Sequence, residues 1–146
     1  MDFVKNIGNK MKINIKTFND WAIKDKDLDM QAGHLKPVDY MLDLIYKETD
    51  ILNKKFSFLD VGCGNGWVVR KISELKNCIL AEGVDGAPEM INKAKGHDAQ
   101  NHYYLEDIEY WNPDKKYDII FSMEVFYYFK DPKKIINNLV HYLNED

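Results

Sequence analysis

Hydrophobic positions change their period along the chain, and the changes mark its elements. Val38, Met41, Leu42 and Ile45 follow Pro37 at helical spacing, which predicts a helix over roughly 37–52 with one apolar stripe. From Lys55 the pattern becomes strand-like. Phe56 to Val61 is a short apolar run that passes straight into Gly62-Cys63-Gly64-Asn65-Gly66. Trp67, Val68, Ile72 and Leu75 continue as a helix, and Ile79 to Asp85 is a second strand ending on an acid. Pro88 opens a helix through Met90, Ile91 and Ala94, with Gly96 placed to cap it. His102 to Leu105 forms a third strand and Tyr117 to Ser122 a fourth. Asp131-Pro132 supplies an N-cap and a first-turn proline for a helix carried by Ile135, Ile136, Leu139, Val140 and Leu143. Strands alternating with helices predict an α/β fold, a parallel sheet covered on both faces.

Ahead of this pattern, residues 17–36 mix Trp21, Leu28, Met30 and His34 with the charged run Lys24 to Asp27, an irregular or helical segment. Met1 to Lys16 has lysines but no apolar core or cleavage site of a signal peptide, and reads as an arm or short helix. The 146 residues suffice for one core, and 13% aromatic content excludes disorder of the whole chain. A net charge of −4 gives no general attraction to nucleic acid. No apolar run approaches the ~18 residues of a membrane span. Cys63 and Cys78 make neither a disulfide framework nor a zinc site, so no metal is expected and the cytoplasm is the simplest compartment.

The turn after the first strand carries the chemistry. Gly62, Gly64 and Gly66 permit a tight turn and a ligand laid against backbone, and the amides of the next helix favour an anionic group. A P-loop would need Gly-Lys-Ser/Thr, and a dinucleotide fingerprint would need glycine where Trp67 stands. Asp85, ending the second strand, can accept hydrogen bonds from both ribose hydroxyls of an adenosine-type ligand.

Four segments together resemble the class I S-adenosylmethionine-dependent methyltransferases: Leu59 to Gly66, Gly83 to Met90, Glu106-Asp107-Ile108 and Tyr117 to Val125. The resemblance covers roughly residues 56–143 and implies a Rossmann-like three-layer sandwich with sheet order 3-2-1-4. The family's seven-stranded sheet continues beyond strand four, so strands five to seven are expected to be missing here, with strand four an exposed edge inviting a second copy to pair. The resemblance implies S-adenosylmethionine as cofactor, S-adenosylhomocysteine as product and a small-molecule acceptor. It also implies cofactor contacts from Asp60, Gly62, Cys63, Gly64, Gly66, Asp85, Gly86, Asp107, Ile108 and Ser122. Residues 1–36 would be an arm and lid, and 37–146 the cofactor-binding domain. Because the sulfonium already activates the methyl, a methyltransferase chiefly aligns its acceptor and excludes water. No catalytic residue is fixed by the sequence: His34 and then Glu124 are the candidate general bases, Tyr127 is a further catalytic candidate that with Tyr128 shapes the acceptor, and Trp21 and Met30 close the cofactor pocket. The alternative function is a cofactor-binding or interaction module that transfers nothing.

Overall fold

The computed structural model describes residues 14–145, so the expectation for the arm ahead of residue 14 lies outside the described residues. Helix α1 (14–23) and helix α2 (Lys26–Glu48) are separated by the turn Lys24-Asp25, where Asp25 takes a left-handed φ of 55°. Then follow β1 (Phe56–Val61), α3 (Trp67–Ser73), β2 (Cys78–Asp85), α4 (Pro88–His97), β3 (His102–Leu105), β4 (Ile119–Phe121) and α5 (Pro132–Val140). The sheet is parallel and its order is β3-β2-β1-β4, as expected for the Rossmann-like arrangement.

Strand β1 is buried along its whole length, which is why its sequence shows no polar alternation. Phe56 and Phe58 face one layer with Val38 of α2, Val69 and Ile72 of α3 and Ile91 and Ala94 of α4. Leu59 and Val61 face the other with Ile135 and Leu139 of α5. Burying each such side chain contributes about 1.5–3 kcal/mol. Both layers therefore clamp β1 and fix the loop that leaves it.

Four details differ from the sequence expectation. The helix predicted to start at Pro37 starts at Lys26 and contains Pro37. The lost bond leaves the Gly33 carbonyl without its amide donor, but Gly33, Lys36 and Pro37 are all exposed, so water can serve it. Gly96 does not cap α4; it lies inside the helix, and Asp98 beyond the end organises the turn instead. The Asp98 carboxylate accepts from Gln100 N (2.9 Å) and from the Tyr103 hydroxyl (2.7 Å). Burial alone would raise its pKa, but these bonds and those from Asn101 hold it down at about 2. Leu143 is not helical: it leaves α5 and bridges Tyr117 in parallel, with Tyr117 N donating to Tyr142 O and Asn144 N to Tyr117 O, both at 2.8 Å. The edge of the sheet at β4, expected to be bare, is thus covered at its start. The regular part of β4 is correspondingly shorter than 117–122.

Under the sheet, Glu82 of β2 is 3% exposed yet fully engaged. It accepts from the Tyr117 hydroxyl (2.6 Å), Lys115 Nζ (3.0 Å) and the Tyr104 hydroxyl (3.2 Å). This knot ties β2, β3 and the start of β4 together from the side opposite α2.

Candidate active site

The carboxyl ends of β1, β2 and β4 open into a cavity of about 670 Å³. Its floor is the glycine turn. Gly62 N and Cys63 N both donate to Val84 O, at 2.8 and 3.0 Å, so the turn is stitched to β2. Gly62, Gly64 and Gly66 all have positive φ (82°, 53° and 77°), which accounts for glycine at all three. They serve different surfaces. A side chain on Gly62 would strike Val125 in the loop after β4. Gly64 faces open space, with Met90 Sδ 4.0 Å from where its Cβ would sit, and lines the cavity. Gly66, by contrast, is turned from the cavity against the buried Tyr103 ring, whose Cε1 would lie 2.5 Å from an added Cβ. Gly66→Ala is therefore expected to destabilise the fold by about 2–4 kcal/mol, from left-handed strain plus overpacking. Urea denaturation measures this; an unchanged midpoint would show that the ring yields freely.

Asp85 closes the turn from β2. Its Oδ2 accepts from Gly64 N (2.9 Å) and its Oδ1 from Ala87 N (2.8 Å), while the carboxyl also lines the cavity. Burial pushes its pKa up, and the amides of Ala87, Gly64 and Gly86 oppose that shift. Asp60, at the end of β1, is 4% exposed. Among the described residues no hydrogen-bond donor reaches its carboxyl. Burial and the neighbouring Asp85 charge push it up to about 8. Two acids thus converge on one cavity wall whose described lining holds no lysine or arginine.

The remaining expected contacts divide. Cys63, Gly86, Asp107 and Ile108 line the cavity. The Cys63 thiol lies against Gly83, and burial, then the charges of Asp85 and Asp60, push it well up. Asp107 is exposed and accepts from Glu109 N at 3.0 Å. Ser122 does not reach the cavity wall; its hydroxyl donates to Val61 O (2.8 Å) and ties β4 to β1. His34, Glu124, Tyr127, Tyr128, Trp21 and Met30 all line the cavity, so α1 and α2 roof it.

Sequence reasoning missed the fastening of that roof. Asp27, in the first turn of α2, is 2% exposed and accepts from Asn65 Nδ2 of the glycine turn (2.8 Å) and from Lys93 Nζ of α4 (2.6 Å). Burial would raise the Asp27 pKa; the bonds from Lys93 and Asn65 outweigh it and hold the group below its usual value. Asn65 Oδ1 in turn accepts from Trp67 N (3.1 Å), the first amide of α3. Asn19 of α1 accepts from Glu89 N (3.0 Å) at the start of α4. In sequence the run Lys24 to Asp27 reads only as part of an irregular or helical segment; the signal that could have found the fastening was a polar Asn65 inside a glycine turn.

Residues 31–146 match a family described as a methyltransferase domain. Over 94 residues the chain is 34% identical to a malonyl-[acyl-carrier protein] O-methyltransferase of Ilyobacter polytropus, covering 62% of this chain and 35% of that protein. Over 134 residues it is 33% identical to a ubiquinone biosynthesis O-methyltransferase of Coxiella burnetii, covering 87% and 55%. Among solved structures it superposes with a TM-score of 0.75, at 25% identity, on a chain of the complex between the Haloferax volcanii Trm112 methyltransferase activator and the putative methyltransferase, covering 87% and 55%. The DhpI–SAH complex shares the fold with a TM-score of 0.72 at 18% identity, covering 92% and 64%. The chain spans between about a third and just over half of the length of these curated relatives.

Proposed function

Because this chain belongs to the methyltransferase-domain family, the class I S-adenosylmethionine-dependent enzymes, we propose that it binds S-adenosylmethionine over Gly62–Gly64 and transfers the methyl group to a small-molecule acceptor. The observation that carries this reading is the pair Asp60 and Asp85: two carboxyls on one cavity wall, the first with no donor among the described residues. A buried acid in that state calls for a ligand bringing positive charge. The cofactor brings an ammonium for Asp60 and a pair of ribose hydroxyls for Asp85. Gly64 leaves room for the amino-acid tail, and Ile108 with Gly86 offers a flat slot for adenine beside Asp107.

When bound, the cofactor supplies an electrophilic methyl on a positive sulfur. The chain's own residues orient the acceptor and keep water out. Phe18, Trp21 and Met30 form the roof, so the described residues ahead of Pro37 act as a lid over a cofactor-binding part spanning 37–146. Among the described residues no helix is long and apolar enough to cross a membrane. Free Cys63 and Cys78 suit the reducing cytoplasm in which we place the protein.

Calorimetric titration tests the reading. S-adenosylhomocysteine is expected to bind with a micromolar Kd, about −8 kcal/mol, and NAD not at all. Absence of S-adenosylhomocysteine binding, or tighter binding of NAD, overturns it. Transfer of labelled methyl from the cofactor separates an enzyme from a silent binding module.

A further inference from the structure

Beyond the cofactor end, the cavity has a chemically distinct second end. Rings run along its wall without a break: Trp21 to Phe18 with centroids 5.5 Å apart, Phe18 to Tyr128 at 5.3 Å, and Tyr128 to Tyr127 at 4.4 Å. The wall ends at Glu124. That residue, exposed in the loop after β4, holds a left-handed φ of 57° and lines the cavity, and its neighbour Val125 packs on Gly62 of the cofactor floor. The Tyr127 hydroxyl donates to that of Tyr128 (3.3 Å); this bond, burial and the Glu124 carboxylate keep it protonated well above the usual range.

The charge inventory of the cavity is one-sided. Its described lining contains Asp27, Asp60, Asp85, Glu106, Asp107 and Glu124, one histidine, His34, and no lysine or arginine. Asp27 is matched by Lys93. Asp60, Asp85 and Asp107 are assigned to the cofactor by the reading above, on which this inference rests, and Glu106 lies with Asp107 beside Gly86 at that same end. Glu124 is the acid left at the aromatic end. An acceptor carboxylate placed there would meet the like charge of Glu124, with no lysine or arginine in the described lining to receive it. An amine would meet a carboxylate and the faces of aromatic rings, both of which attract an ammonium.

We infer that the methyl acceptor is an amine on an apolar or aromatic body, held by Glu124 and the Trp21–Phe18–Tyr128–Tyr127 wall, and that the methyl goes to nitrogen. The acceptor arrives as an ammonium and gives one proton to the Glu124 carboxylate and on to solvent. Its freed lone pair forms the N–CH3 bond as the S–CH3 bond breaks, and that bonding pair returns to sulfur. The positive charge passes from sulfonium to methylated ammonium, which stays beside Glu124. This acceptor class differs from the O-methylation named for the Ilyobacter relative.

The experiment measures ternary complexes by saturation-transfer NMR on the full chain loaded with S-adenosylhomocysteine, using benzylamine, benzyl alcohol and phenylacetate as probes. Benzylamine is expected to bind at least tenfold more tightly than benzyl alcohol, and phenylacetate not measurably. E124Q should erase the amine preference while S-adenosylhomocysteine affinity stays within about threefold of the parent. Glu124→Gly, which accepts the left-handed backbone without strain, should do the same and guards against a folding artefact of the first variant. No benzylamine binding, phenylacetate binding as tight as benzylamine, or a preference that survives both variants overturns the inference. Failure of S-adenosylhomocysteine to bind the parent overturns the cofactor reading instead, and the same probe series without it then decides the acceptor end alone.

Discussion

Asp85→Ala should lower the affinity for S-adenosylhomocysteine by about 10²–10³-fold, or about 3–4 kcal/mol. Two losses combine. The ribose hydroxyls lose a charged acceptor, and hydrogen bonds of that kind are worth about 1.5–3 kcal/mol each. The amides of Gly64 and Ala87 lose the oxygens that hold them at 2.9 and 2.8 Å, so the cavity floor is no longer pre-shaped. Asp85→Asn separates the two: it can still accept from one amide and should keep part of the floor, giving an intermediate affinity. Calorimetry on the three proteins measures this, with thermal melting as the check on folding. An Asp85→Ala affinity within threefold of the parent would refute the role assigned to this carboxyl.

Asp60→Asn should act on stability and binding in opposite directions. The folded chain holds the Asp60 proton up to about pH 8, whereas an unfolded chain releases it near 3.8. Between those values the folded state carries the extra proton, so Asp60 makes stability fall as pH rises through that window. Asparagine stays neutral throughout. The variant should match the parent near pH 4 and exceed it increasingly towards pH 8–9, by several kcal/mol, because the buried charge that costs the parent is absent. Cofactor affinity should drop by about 10–100-fold, because the ammonium loses its charged partner. In the parent, binding should release a proton at pH 7 as the ligand's cation ionises Asp60; in the variant that release should vanish. Calorimetry in buffers of different ionisation enthalpy reads the proton count. Equal proton release in both proteins would assign the titration to another group.

Much of this was legible because the strands are short and buried on both faces. Phe56 to Val61 and His102 to Leu105 stand at their expected bounds, and the sheet order is the one that the motif resemblance implied. The glycine turn and Asp85 were legible for a local reason, since backbone conformation and strand-end position are written in adjacent residues. What escaped depends on contacts between distant segments. Pro37 reads as a helix start, but α2 already runs from Lys26 through the segment read as irregular or helical, and it turns Met30, His34 and Val38 to the cavity. Gly66 reads as a ligand contact, yet Tyr103, remote in sequence, occupies the space that fixes it. Leu143 continues the period of α5 and still leaves the helix, because Tyr117 offers an unpaired edge. Ser122 matches its motif but spends its hydroxyl on Val61 O.

The link from Asp27 to Lys93 and Asn65 constrains the order in which sequence drift can dismantle it. The Asp27 side chain is 1% exposed, whereas Lys93 is 22% exposed and has a second partner in the largely exposed Asp25. Losing Lys93 first strands a buried carboxylate with Asn65 as its remaining donor partner, a costly intermediate. Losing Asp27 first leaves Lys93 with Asp25 and water, and leaves Asn65 Nδ2 within 3.5 Å of Gln31 Oε1. Descendants that have given up the roof fastening should therefore keep a lysine at position 93 after the acid at 27 is gone, and lineages with the acid but no cation should be rare.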